Sequence, residues 1–111
     1  MAHPDFLTFD HLVPFTGLVH GVFSRAGGLS CGAWSGLNIG LNTGDDKHTV
    51  GKNRTAMLDA LGLTRALFLN QVHGTDIFVL KKSKTPEQVL WQAGRGPALN
   101  PVTADAAVTN M

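Results

Sequence analysis

Six glycines fall between Arg25 and Asp46, with Ser30, Ser35, Asn38 and Asn42 among them. Glycine loses more backbone freedom on folding than any other residue, and serine and asparagine side chains compete for backbone hydrogen bonds. A stretch of this composition supports only short pieces of structure. Residues 25–46 are therefore a long loop, and long ordered loops more often carry function than merely connect.

Regular structure has to form on either side of that loop. A helix is predicted over 47–61, with Asp46 or Thr49 as its N-cap and Gly62 in the C′ position. Val50, Met57, Leu58 and Leu61 recur at helical spacing and define its apolar stripe. Arg54 lies inside the stripe. Either its guanidinium turns inward and finds anions or carbonyls, or its stem packs while the head reaches outward to water. Before the loop, Pro4 and Pro14 mark residues 1–16 as an edge segment or loop, and residues 17–24 are a strand candidate. After the helix, 66–72 and 76–80 are predicted strands, with His73-Gly74 between them as a tight turn or as a bulge in one bent strand. Thr85, Pro86 and Gln88 supply an N-cap, an N1 proline and an N3 glutamine for a short helix over 86–93. Residues 94–101 are loop, and 104–109 form a last strand. This order of elements is that of an α+β, or mixed α/β, fold: a mixed sheet with flanking helices, as one domain over residues 1–111.

Charge narrows the partners. Nine basic residues against eight acidic ones give a net charge of +1, which leaves no footprint for nucleic acid and no polybasic membrane patch. The Lys81, Lys82 and Lys84 cluster reads as a solvated strand end. No apolar run approaches the ~18 residues of a membrane helix, and Met1 to Asp5 lack the features of a signal peptide. Cys31 is the sole cysteine, which precludes an intrachain disulfide and a structural zinc finger. A cytoplasmic protein is the expectation.

Four side chains stand out for chemistry. Period-2 counting places Leu67, Leu69, Gln71 and His73 on one strand face, and an imidazole beside a glycine is sterically open to act as ligand or base. Arg25 precedes Ala26-Gly27-Gly28, which is either a plain structural turn or one whose exposed N–H groups can form an anion nest beside a cation. Arg54 joins it as a second guanidinium. The segment from Gly44 to Asn53 has the outline of a phosphate loop but fails on glycine spacing, on the residue after Lys52, and on the repulsion of Asp45 and Asp46 toward phosphate. The Asp pair suits helix capping better. His3, His11, His20 and His48 lack partners at metal-ligand spacing, and a copper oxidase site needs more histidines than the chain offers.

Ser24-Arg25-Ala26-Gly27-Gly28-Leu29-Ser30, Leu37-Asn38-Ile39-Gly40 with Gly44-Asp45-Asp46, Asn53-Arg54, Gln71-Val72-His73-Gly74 and Ala104-Asp105-Ala106 occur in that order. Together they resemble the motifs of the laccase-domain family, the polyphenol-oxidase-like proteins that include peptidoglycan editing factors. The resemblance implies a purine nucleoside phosphorylase that uses zinc, cleaving adenosine, inosine or guanosine with phosphate to ribose 1-phosphate and free base. It also implies adenosine deamination as an associated activity. Copper, despite the family's older name, is the less favoured metal. The family's zinc ligands are the histidine of Gln-Val-His-Gly, a cysteine in Ala-Asp-Cys-x-Pro and a histidine in His-Ala-Gly-Trp-Arg-Gly. Only the first is present here, as His73. The expectation is thus an incomplete domain, the N-terminal part of the fold, which needs the C-terminal half for activity. On the resemblance, Arg25, Arg54 and Gln71 are catalytic candidates, and Arg25, Asn38 and Arg54 contact substrate. Rival expectations are a non-catalytic fragment or interaction module, an oxidase, and a metal enzyme in which Cys31 supplies the thiolate.

Overall fold

Helix α1 runs over Lys47–Leu61, as the capping residues and periodicity predict, and Asp46 is the residue that starts it. The Asp46 carboxylate accepts the Thr49 N–H at 2.9 Å and the Thr49 hydroxyl at 2.8 Å, satisfying one of the orphan donors of the first turn. At the other end Gly62 takes φ 72°. Its N–H returns to Asp59 and the Leu63 N–H to Leu58, which is a Schellman cap. The buried face differs from the predicted stripe. Val50, Asn53, Arg54, Ala56 and Leu58 are buried, whereas Met57 and Leu61 are only half-buried. Asn53 and Ala56 thus take the place of Met57 and Leu61 on the inward face, beside Arg54.

The computed structural model describes residues 4–80, 90–92 and 102–109 and divides into two compact units, with the boundary between Thr64 and Arg65. In the first unit, β1 (Phe6–Leu7) pairs antiparallel with β2 (Val22–Phe23), and the Phe6 and Phe23 rings meet at 5.0 Å between centroids. The strand expected over 17–24 is therefore limited to two residues. His20 explains the shortfall, because its imidazole Nε2 accepts the Phe9 N–H at 2.8 Å and holds the chain in the turns that precede β2. The loop over 25–46 contains a single 3-10 turn, Gly32–Trp34, and an isolated bridge between Ser30 and Gly36. Leu37, Val50, Ala56 and Leu58 are buried apolar side chains of this unit.

In the second unit the strand expected over 66–72 is broken in two. β3 (Arg65–Ala66) pairs antiparallel with β6 (Trp91–Gln92), while β4 (Leu69–Asn70) pairs parallel with β7 (Val102–Thr103). Each half follows a different partner, so the chain cannot stay in one ladder. β5 (Ile77–Leu80) pairs parallel with β8 (Ala106–Thr109), close to the strands predicted at 76–80 and 104–109. The helix expected to reach residue 93 is corrected at its end, since Trp91 and Gln92 are strand; residues 86–89 lie outside the described residues. The predicted loop at 94–101 and the Lys81, Lys82 and Lys84 cluster also lie outside them. Among the described residues, one α-helix and paired short strands of both senses make a mixed α+β architecture. Among the described residues no helix is long and apolar enough to cross a membrane.

Candidate functional site

In the first unit Asn53 organises the loop around itself. It is fully buried, and its amide oxygen accepts the Leu29 N–H at 2.8 Å. Its amide nitrogen donates to the Ser30 hydroxyl at 2.9 Å and to the Asn38 carbonyl at 2.8 Å. Ser30 in turn donates its own proton to Asp45, at 2.5 Å. The Asn38 side chain donates to the same carboxylate at 3.1 Å and to the Thr43 hydroxyl at 2.9 Å, and its oxygen accepts the Gly40 N–H. One helix residue therefore ties residues 29–30 to Asn38 directly, and through Ser30 and Asn38 to Asp45, in a loop that has almost no regular structure.

The Ser30 hydroxyl, with help from Asn38 and the Asp46 N–H, holds the Asp45 carboxyl below its ordinary 3.8. The Thr49 N–H and hydroxyl do the same for Asp46. Both groups bind protons less readily folded than unfolded. Their contribution to stability is complete above the ordinary carboxylate value and is lost as pH falls through the lowered one. The thermal midpoint of the first unit is expected to drop in that acid window, and Asp45→Asn to flatten the drop. A thermal melt series across acid pH checks this. A midpoint that falls equally in both proteins would remove Asp45 from the account.

The two arginines of this unit differ. Arg54 is only 7% exposed, and its Nε donates to the Ile39 carbonyl at 2.8 Å. Burial pushes its guanidinium down to about 10, which still leaves it charged at neutral pH. Of the two orientations open from sequence, Arg54 takes the inward one, on a carbonyl. Arg25 is exposed, and its side chain has no partner among the described residues. Its backbone carbonyl accepts the Leu37 N–H at 2.7 Å, which places residues 25–28 against 36–37. The approach is so close that a Cβ on Gly28 would stand 2.1 Å from the Gly36 oxygen. Asn38 is half-buried, with its amide committed within the network above.

In the second unit, His73 lies in neither a tight turn nor a bulge of one bent strand but in a loop between β4 and β5, which belong to separate two-stranded ladders. β4 and β5 are both parallel to the segment 102–109, so the chain leaves the His73 loop in the direction it entered. Seven steps separate Asn70 from Ile77 on one side, against three from Thr103 to Ala106 on the other. The excess is thrown out as a loop containing Gln71, Val72, His73 and Gly74, all exposed. Gln71 and His73 are thus not on a strand face, because the ladder ends at Asn70.

The inside of this loop is occupied by one carboxylate. Asp105 accepts the N–H groups of Val72 at 3.0 Å, His73 at 2.7 Å and Gly74 at 2.7 Å. His73 has φ 60°, the one positive value outside glycine among the described residues. That conformation costs a side chain on the order of 1 kcal/mol, and three N–H donors converging on an anion offset it. Period counting missed Asp105, whose partners are 31 to 33 residues away. Its only sequence signal was the Ala104-Asp105-Ala106 motif. Among the described residues no three His, Cys, Asp or Glu side chains converge as a metal site, and Cys31 is exposed and free.

Residues 19–111 match the family described as multi-copper polyphenol oxidoreductase laccase. Similar curated proteins include a purine nucleoside phosphorylase of Geobacillus stearothermophilus, 42% identical over 72 residues, which are 63% of this chain and 26% of that protein. A purine nucleoside phosphorylase of Streptomyces griseus is 39% identical over 101 residues, covering 83% of this chain and 41% of the relative. One of Corynebacterium glutamicum is 31% identical over 105 residues, covering 86% and 43%. The chain therefore spans less than half the length of each of these relatives. No solved structure matches the chain at a significant level.

Proposed function

The chain belongs to the multi-copper polyphenol oxidoreductase laccase family, and from that membership we propose that the whole protein is a purine nucleoside phosphorylase. The observation that carries the proposal is the likeness to relatives bearing that name along most of this chain. In the reaction a phosphate oxygen attacks the anomeric carbon of the nucleoside. The bond from that carbon to the purine nitrogen breaks, its electron pair stays on the base, and a proton neutralises the leaving group. Ribose 1-phosphate and free base result.

Within this proposal Arg25 contacts phosphate. Its exposed guanidinium offers two parallel N–H donors, the geometry that oxyanions accept best. Arg54 and Asn38 serve the same substrate side through the loop they hold, and Gln71 orients groups beside His73. Zinc is the proposed cofactor and His73 its one donor in this chain; when bound, zinc lowers the pKa of a coordinated water. An exposed imidazole suits zinc, but the described residues bring no further donors to it. Deamination of adenosine is proposed as the secondary activity.

The test is base release from adenosine, inosine and guanosine by the full-length protein, with and without phosphate. Release that requires phosphate and yields ribose 1-phosphate is expected, while inosine formed from adenosine without phosphate registers deamination. No turnover would favour the non-catalytic reading, and phenol oxidation in its place would favour the oxidase. Arg25→Ala is expected to raise KM for phosphate by about tenfold or more, the size of a lost hydrogen bond to a charged group. KM for the nucleoside should change little. An unchanged phosphate KM would remove Arg25 from phosphate recognition.

A further inference from the structure

His73 sits at the tip of an excursion from a parallel strand pair, in a backbone conformation that an L-residue rarely adopts. Nothing in the sequence of the loop itself enforces that conformation, since Gln71, Val72 and His73 are all free to extend. The enforcing group comes from the opposite strand. Asp105 lies between β7 and β8, where its own N–H donates to the Asp76 carbonyl at 3.1 Å and the preceding Ala104 N–H to the Asn70 carbonyl at 3.3 Å. These two bonds anchor the backbone of 104–105 to both ends of the excursion. The carboxylate then takes three consecutive N–H groups of the loop, two on one oxygen and one on the other.

We propose that Asp105 is the positioning residue for His73: its carboxylate selects the left-handed backbone that projects the imidazole from the loop. The geometry is specific to a carboxylate. Val72 and His73 share Oδ1 while Gly74 takes Oδ2, so both oxygens must accept. An asparagine presents one acceptor oxygen and a nitrogen that would meet a third N–H donor to donor. Gly74 fits the same arrangement, because a Cβ there would stand 3.1 Å from the Asp105 Oδ2, closer than ordinary contact. The contribution of Asp105 to activity rests on the phosphorylase proposal, whereas its hold on the loop does not.

The experiment uses the full-length protein with Asp105→Asn and Asp105→Ala. Four readouts are taken: amide hydrogen exchange, the intraresidue amide-to-Hα NOE of His73, zinc affinity by chelator competition, and phosphorolysis of inosine per folded molecule. In the wild type, the amides of Val72, His73 and Gly74 are expected to be protected, and the His73 NOE to be strong, as positive φ requires. Both variants should lose protection by about tenfold or more at those amides while α1 keeps its protection. Zinc affinity and kcat/KM should fall about 10- to 100-fold, the range for changes in groups that orient a metal ligand. Unchanged exchange in the variants would overturn the proposal. So would lost protection with zinc affinity and turnover intact, because the loop would then be held to no purpose. A wild type with neither zinc nor turnover would sink the phosphorylase reading instead, leaving exchange and NOE to decide for or against Asp105. If Asp105→Ala fails to fold, the wild-type NOE and Asp105→Asn decide, and a weak His73 NOE would be fatal.

Discussion

Asn53→Ala is expected to destabilise the first unit by about 4 kcal/mol, a large share of the 5–15 kcal/mol that holds a typical domain together. The side chain is fully buried, and its removal strands the Leu29 N–H and the Asn38 carbonyl and takes a partner from Ser30. Each buried polar group left unmatched costs on the order of 1–3 kcal/mol, and the vacated volume adds a cavity term. Asn53→Asp is the informative companion. It keeps the acceptor for Leu29 but loses both donors, and it sets a second anion on the hydroxyl that already serves Asp45. Denaturant unfolding of the three proteins measures this. A loss below about 1 kcal/mol for Asn53→Ala would mean that the loop is held by something other than this amide.

Gly36→Ala is expected to cost at least about 3 kcal/mol. A Cβ at residue 36 would stand 1.9 Å from the Arg25 carbonyl oxygen, which is the acceptor for the Leu37 N–H. The segments must separate, breaking that bond and straining the two bonds between Ser30 and Gly36. The backbone adds its own penalty, since φ at Gly36 is 105° and alanine has no comfortable conformation there. Gly51→Ala supplies the contrast. Gly51 is inside α1, and a methyl added there would meet nothing within 4 Å, so alanine is expected to stabilise by about 0.5–1 kcal/mol. The thermal midpoints of both variants test the account, and a Gly36→Ala protein as stable as the wild type would refute the close approach.

What could be read from the sequence was what depends on neighbours along the chain. The limits of α1 follow from Asp46 and Gly62, whose effects act within one turn of helix. The loop over 25–46 follows from its glycines. Spacing puts Arg54 within the helix stripe, but whether its head turns inward or out to water is decided by the fold, which brings the Ile39 carbonyl to it. What depends on distant partners was hidden. Asn53 looks like an ordinary helix-surface residue until the backbone of Leu29 and Asn38 arrives beside it. The strand over 66–72 has the right composition throughout, yet it breaks because β6 and β7 each claim only part of it. His73 was singled out for its imidazole and its glycine neighbour, and the resemblance reinforced it. The carboxylate that shapes its loop is marked only by the Ala104-Asp105-Ala106 motif, and nothing near it in sequence points to the His73 loop.

The separation of His73 from Asp105 also sets an order of events during synthesis. The ribosome finishes His73 32 residues before it reaches the aspartate that closes the loop. At about 5–20 residues per second, roughly two to six seconds pass in which the histidine is made but its loop has no carboxylate to close on. The interactions that gather around Asn53 span at most 24 residues and lie wholly upstream. The asparagine-centred loop can therefore be complete on the nascent chain while the histidine still waits for its aspartate.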